Sequence, residues 1–266
     1  IGKSKDKSMG STTISEAIRK AANDETVKAI LFRINSPGGS ALASEIILHE
    51  IELAKKKKPV VVSMGRYAAS GGYYIACYAD KIYAEPYTLT GSIGVFGVFF
   101  NLEKLLNNKL GVNVSVVKTN ENSNIGGVFS PMSKTEKEFW TYQIEDIYDK
   151  FISHVAFGRN LTKEIVDSIG QGRIWVADDA VKIGLVDEIG GIDVALADAV
   201  DRAGIDEYEI VEYPKVKNFM EKLLEDFQIS ATQKRLGIMY DTYKNIQNLQ
   251  DMQGIQARFV YDINIR

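Results

Sequence analysis

The chain has 266 residues, 45% apolar and 25% charged, enough to bury a sizeable core in one large domain or two small ones. Its net charge of −3 offers no basic face, so no nucleic-acid partner is expected. Its single cysteine, Cys77, excludes an intrachain disulfide and a Cys-rich zinc site, and no apolar run reaches the ~20 residues of a membrane helix.

The start, Ile1-Gly-Lys-Ser-Lys-Asp-Lys-Ser-Met-Gly10, is polar, carries no signal peptide and reads as the interior of a longer protein. Thr12 to Asn23 has helical spacing, with Ile14, Ala17, Ile18 and Ala21 on one face. Val27 to Ile34 is a predicted strand that runs into Asn35-Ser-Pro-Gly-Gly-Ser40. A helix from Ala41 to Lys57 is expected to bury Leu42, Ile46, Ile47, Ile51 and Leu53 or Ala54, and to end in a solvated run, Lys55 to Lys58. Pro59-Val-Val-Val-Ser-Met64 is a buried strand. Arg66-Tyr-Ala-Ala-Ser-Gly-Gly-Tyr-Tyr-Ile-Ala-Cys-Tyr-Ala-Asp80 follows it, with Ser70 at the turn into a helix and Asp80 closing the element.

Lys81–Ala84 is a short predicted strand, Thr88–Gly94 a tight loop, and Val95–Phe100 a further strand. Leu102–Leu110 reads as helix, Val112–Lys118 as strand and Thr119–Met132 as loop. A long helix from Lys134 to Gly158 carries Trp140, Ile144, Ile147, Tyr148, Phe151 and Val155 along one stripe. Short helices at Thr162–Ile169, Asp178–Ile183 and Val194–Ala203 alternate with strands at Leu185–Asp187 and Glu209–Tyr213. This alternation predicts an α/β domain with mostly parallel pairing. Val216 to about Met252 reads as an amphipathic helical region. Ile255 to Ile265 alternates with a period of two, placing Ile255, Ala257, Phe259, Tyr261, Ile263 and Ile265 on one face of a strand. Such a strand must pair with an edge, either in a neighbouring subunit or in its own domain.

Two glycine turns carry the chemistry. Each stands where a strand meets a helix, so backbone N–H groups can approach a ligand closely. Ser70 is either a nucleophile on such a turn or merely the N-cap of the next helix. With Ser70 as nucleophile, the N–H groups of Gly39 and Gly71 could form an oxyanion hole. The two histidines, His49 and His154, both fall inside helices, so a Ser-His-Asp triad is not expected. A lysine is the other available base, once desolvation lowers its pKa.

Four motifs together resemble the signal peptide peptidase A (protease IV) family, peptidase family S49. They are Asn-Ser-Pro-Gly-Gly at 35–39, Ser-Met-Gly-x-x-Ala-Ala-Ser-Gly-Gly-Tyr-Tyr-Ile-Ala at 63–76, Leu-Thr-Gly-Ser-Ile-Gly at 89–94 and Gly-Leu-Val-Asp at 184–187. The resemblance spans about residues 10–205. It implies a ClpP/crotonase-like fold of repeated ββα units, with a peptidase domain over 1–205 and a C-terminal extension over 206–266 that serves assembly. It implies Ser70 as nucleophile, Gly39 and Gly71 as oxyanion donors supported by Gly38, and Ser92 as the serine that orients a catalytic lysine. Ala68, Ala69, Val95 and Phe96 are the expected apolar substrate pocket. The implied partners are apolar, extended peptides and further copies in a homo-oligomer. The implied location is the bacterial inner membrane, facing the periplasm, through an anchor outside this chain. No cofactor or metal is implied.

One departure stands out. Short members of the family carry the lysine in the loop ahead of a Ser-Pro pair. Here that loop is Lys118-Thr-Asn-Glu-Asn-Ser-Asn-Ile-Gly-Gly-Val-Phe-Ser-Pro131, with no lysine from Thr119 to Pro131. Lys118 precedes it and Lys134 follows it. This matches the C-terminal half of the long, two-repeat members, whose N-terminal repeat supplies the lysine. The rival readings are an acyl-CoA enzyme of the crotonase type, which would need a carboxylate over its thioester, and a non-catalytic peptide-binding or assembly half.

Overall fold

The structure, a computed structural model, describes residues 2–4, 8–214 and 254–258. In chain order the elements are α1 (Ser11–Asn23), β1 (Ile30–Ser36), β2 (Gly38–Ser40), α2 (Ala41–Lys55), β3 (Val60–Ala69), α3 (Gly71–Tyr74), β4 (Lys81–Ala84) and β5 (Leu89–Gly91). Then come β6 (Phe96–Val98), α4 (Glu103–Leu105) with a π-helical turn at Leu106–Leu110, α5 (Lys134–Arg159), α6 (Lys163–Ile169), β7 (Ile174–Val176), α7 (Ala177–Lys182), β8 (Glu188–Ile189), α8 (Ile192–Ala203) and β9 (Gly254–Arg258). They fall into two units, one within Ile1–Val95, Ile147–Lys215 and Gln256–Arg266, the other within Phe96–Asp146 and Val216–Ile255.

β3 is the centre of the first unit. Its first half pairs in parallel with β1 (Ile30↔Val60 to Ile34↔Met64) and with β4 (Val61↔Lys81 to Met64↔Ala84). Its last residues pair in parallel with β5, which pairs antiparallel with β7, and β4 carries β8 on its other side. The protein is thus an α/β fold with a mixed sheet and flanking helices. Side chains of a strand alternate between faces. Accordingly Val60, Val62 and Met64 join the main core with Ile47, Leu48 and Ile51 of α2 and Phe151 and Val155 of α5. Val61 packs on the opposite face with Tyr83 and with Ala195 and Ala199 of α8.

Between Ile34 and Ser36 the β1–β3 register slips, and Ala68 faces Ser36. Asn35 fills the irregularity: its Oδ1 accepts the Tyr67 N–H at 3.1 Å, and its side chain would crowd a Cβ on Gly65 at 3.2 Å. The slip aims the end of β3 and the end of β1 at one place, where both glycine turns lie.

Several local expectations change. α2 buries Ala41, Ser44, Ile47, Leu48, Glu50, Ile51 and Ala54, while Leu42, Ile46 and Leu53 are exposed. Glu50 is tolerated inside because Arg19 of α1 pairs with it. The lysine run is not simply solvated: Lys58 Nζ donates to the carbonyls of Ala21, at 2.8 Å, and Asp24, closing the end of α1. Asp80 closes its element by accepting the Val60 N–H at 2.8 Å and pairing with Lys55 at 3.2 Å. Val112–Lys118, Leu185–Asp187 and Glu209–Tyr213 are not strands. Asp187 instead anchors β4, accepting from Ile82 N at 2.7 Å and pairing with Arg159 at 2.7 Å.

In the second unit, Ser133 and Glu136 cap α5 reciprocally, with N–H to side-chain oxygen distances of 2.7 and 3.1 Å. The expected helical region at Val216–Met252 and the strand positions from Phe259 to Ile265 lie outside the described residues.

The expectation of a membrane-anchored, periplasm-facing protein is corrected for this chain. Among the described residues no helix is long and apolar enough to cross a membrane. α5 has the length, at 26 residues, but charges such as Lys134, Glu138, Glu145, Asp146 and Lys150 run through it.

Candidate functional site

Ser70 follows directly on β3 with φ 52° and ψ −117°, a conformation that residues with a Cβ rarely adopt. The surroundings enforce it. Ser70 N–H donates to Gly91 O at 2.8 Å, and Ser70 O accepts from Tyr74 N at 2.8 Å. Its side chain makes no cap hydrogen bond to α3, which removes the simple N-cap explanation. Instead Ser70 Oγ lies 3.4 Å from Gly94 O. A strained serine on a strand-to-helix turn has the backbone form of a nucleophile elbow, but Ser70 is fully buried here, where such an elbow exposes its hydroxyl.

The two glycine turns meet here. A Cβ placed on Gly71 would fall 2.6 Å from Ser44 Oγ and 3.2 Å from Gly39 N. A Cβ on Gly72 would fall 2.5 Å from Ser36 O. Gly38 has φ +101°, and its N–H donates to Ser36 Oγ at 3.2 Å, which shapes the turn ahead of Gly39. Gly39 N and Gly71 are thus neighbours, and two adjacent backbone amides can stabilise negative charge developing on a carbonyl oxygen. Asn35, Ser36 and Ser44 help to build this arrangement, although their side chains were not singled out from the sequence. The available signal is position: Asn35 and Ser36 immediately precede the Pro-Gly-Gly turn, and Ser44 stands one helical turn after Ser40, whose carbonyl it bonds at 3.2 Å.

Ser92 is buried, with φ 49°. Its N–H donates to Arg173 O at 2.7 Å, and Gly172 N–H donates to Ile93 O at 2.8 Å. A Cβ on Gly94 would press on Gly172 at 2.9 Å, so the 91–94 loop is clamped by residues 171–173. The sequence signal for that clamp was the Gly170-Gln-Gly172 turn. Ser70 and Ser92 are linked through Gly91, whose carbonyl holds the Ser70 amide.

Among the described residues, no hydrogen bond of Ser70 or Ser92 involves a lysine or a histidine. Lys118 and Lys134 belong to the second unit, and the Lys134 side chain is 90% exposed and paired with Glu138 at 3.7 Å. His49 is exposed beside Glu52 at 3.8 Å. His154 stands between the Tyr78 hydroxyl, at 2.7 Å from Nδ1, and Glu45, at 3.3 Å from Nε2. Of the expected pocket residues, Ala68 and Ala69 are buried at the end of β3 and Val95 packs against the main core. Phe96 opens β6 in the second unit.

The model of peptidase family S49 matches residues 52–206. Protease 4 of Haemophilus influenzae is 47% identical over 196 residues, which cover 73% of this chain and 32% of that protein. Protease 4 of Salmonella typhi is 40% identical over 218 residues, covering 82% and 35%. A putative protease of Methanocaldococcus jannaschii is 40% identical over 195 residues, covering 73% and 62%. The chain thus spans about a third of the length of the first two and less than two thirds of the third. Among solved structures, a ClpP1 mutant from Listeria monocytogenes superposes with a TM-score of 0.47 at 18% identity, over 68% of this chain and 84% of that one.

Proposed function

Since this chain belongs to peptidase family S49, we propose that it is the nucleophile-bearing part of a serine endopeptidase acting on extended, apolar peptides such as released signal peptides. The observation that carries this reading is the convergence of the Ser70 turn with Gly71 and the Gly39 amide. Ser70 Oγ gives up its proton to a base and attacks the peptide carbonyl carbon. The oxygen of that carbonyl takes up negative charge and is held by the N–H groups of Gly39 and Gly71, with Gly38 shaping their turn. The tetrahedral species collapses, the peptide C–N bond breaks, and the base passes its proton to the leaving amine. Water then hydrolyses the acyl-serine by the same steps.

The base is a neutral lysine, desolvated so that it can accept a proton. It comes from an N-terminal repeat of a longer protein, with Ser92 orienting its amine. The lysine-free segment from Thr119 to Pro131 and the small share of the Protease 4 relatives that this chain spans both support that source. In this reading residues 1–205 form a ClpP/crotonase-like peptidase domain, 206–266 an extension, and the whole works as a homo-oligomer. Within the first unit, Ala68, Ala69 and Val95 are the residues that would give the substrate an apolar lining. The acyl-CoA alternative lacks support, since the nearest carboxylate after Ser70 in sequence, Asp80, is engaged by Val60 N and Lys55.

The test is peptide hydrolysis by the longer protein. Ser70→Ala should lower kcat/KM at least about 10³-fold, with the melting temperature little changed. Ser92→Ala should cost less, about 10²-fold, because it orients a proton acceptor without bonding the substrate. Turnover of Ser70→Ala near the wild-type rate would remove the nucleophile assignment.

A further inference from the structure

β3 changes neighbours just ahead of Ser70. β4 ends at Ala84, opposite Met64, and β5 begins at Leu89, opposite Tyr67. On the other side, Ile34 lies opposite Met64 and the next paired residue is Ser36, opposite Ala68. Among the described residues, Gly65 and Arg66 therefore have no partner in register on either side. Side chains take over where the ladder lapses. The Thr88 hydroxyl donates to Gly65 O at 2.6 Å, and the Thr90 hydroxyl donates to Ala68 O at 2.7 Å. Both threonines are buried, Thr90 completely. Their own backbones are fixed from the far side: Thr88 O accepts from Ala177 N at 3.0 Å, and Thr90 stands opposite Trp175 of β7. Next to Thr90 is Gly91, whose carbonyl holds the Ser70 amide at 2.8 Å. One short segment, 88–91, thus grips β3 at Gly65, at Ala68 and at the strained serine itself.

We propose that Thr88 and Thr90 are positioning residues of the Ser70 turn, their hydroxyls fixing the end of β3 where strand pairing does not. A ladder holds a strand only while the two strands run together; a short side-chain donor reaches a carbonyl where they part. A buried carbonyl that loses its donor is costly to leave unmatched, so the backbone around it shifts. Neither threonine touches the reacting atoms. Each acts through the backbone that carries Ser70, and a displacement of about 1 Å at a nucleophile costs about 10²-fold in rate. The effect on catalysis rests on the peptidase reading; the hold on the Ser70 backbone does not.

The test compares Thr90→Val, which keeps the branched shape and removes the hydroxyl, with Thr90→Ser, which keeps the hydroxyl and removes a methyl. In the 266-residue chain, Thr90→Val should speed hydrogen exchange at the Ser70 amide at least about tenfold. The Val61 and Val62 amides of β3 should stay protected and report an intact domain. Thr90→Ser should leave Ser70 exchange within about twofold of the wild type. In the proposed two-repeat protein, Thr90→Val should lower kcat about 10- to 10²-fold with KM within about twofold, while Thr90→Ser keeps most of the activity. Thr88→Val and Thr88→Ser should rank in the same order. A packing role alone gives the reverse order, because serine leaves a cavity and valine does not. Wild-type exchange and turnover in Thr90→Val and Thr88→Val would overturn the proposal, as would equal losses in Thr90→Val and Thr90→Ser. Failure of the peptidase reading would show separately, as hydrolysis that survives Ser70→Ala.

Discussion

At the scale of single residues, the two candidate oxyanion glycines are not equivalent. Gly71 is enclosed: a Cβ there meets Ser44 Oγ at 2.6 Å, Ala257 O at 2.8 Å and Gly39 N at 3.2 Å. Gly39 faces open space, with nothing within 4 Å of its Cβ position. Gly71→Ala should therefore destabilise the protein by about 1–3 kcal/mol through overpacking and disturb the site as well. Gly39→Ala should stay within about 0.5 kcal/mol of the wild type, since it adds a methyl where there is room and keeps the N–H. Urea denaturation of the two variants checks this. Equal destabilisation would mean that the approach of these turns is not as described.

At the scale of elements, α3 carries the residues after Ser70 and is tied to two longer helices by a polar and aromatic cluster. Tyr74 packs on Phe151 of α5, ring centroids 4.6 Å apart, and its hydroxyl bonds Glu45 of α2. Glu45 also meets His154 of α5, whose other ring nitrogen meets the Tyr78 hydroxyl. The hydrogen bonds from His154 and Tyr74 hold the Glu45 carboxyl below its ordinary range, and burial pushes the Tyr78 phenol up to about 12. The sign for Glu45 follows from linkage. Its native carboxylate binds a proton less readily than the unfolded one, so its contribution is complete above the unfolded pKa and is lost as pH falls through the native one. Glu45→Gln should lower the melting temperature at pH 7, and the gap to the wild type should close as the pH is taken below the ordinary glutamate range. Melting curves from pH 7 to about pH 3 check this; a gap that stays constant would assign Glu45 a packing role alone.

At the scale of the whole molecule, the candidate nucleophile turn and the candidate oxyanion glycines lie in one unit, while Lys118 and Lys134 lie in the other. A serine hydroxyl without a base is a poor nucleophile at neutral pH. The 266-residue chain alone should accordingly hydrolyse peptides at least about 10²-fold more slowly than the proposed two-repeat protein. The measurement is turnover of one peptide by both at equal site concentration. Robust activity of the chain alone, lost on Lys118→Ala or Lys134→Ala, would place the base within it.

What the sequence determined by itself was local. The apolar run into Ser70, the glycines after β1 and β3, and the 26-residue helix α5 were legible because strand runs, turn residues and helical period act over a few neighbours. So were the candidate nucleophile and the two amide-bearing turns, since each turn is written in consecutive residues. Other features needed partners far along the chain. α2 has apolar residues on more than one side, and only its contacts with α1 and the sheet select Leu48 over Leu42, Ile46 and Leu53. The three-residue strands β2 and β7 carry too little pattern to read, while Val112–Lys118 and Glu209–Tyr213 have strand-like composition and pair with nothing among the described residues. Tertiary structure alone brought Gly39 to Gly71, clamped the Ser92 loop with residues 171–173, and laid Ala257 opposite Gly39. Strand pairing and close backbone approach depend on which segments become neighbours, and composition along one segment does not encode that choice.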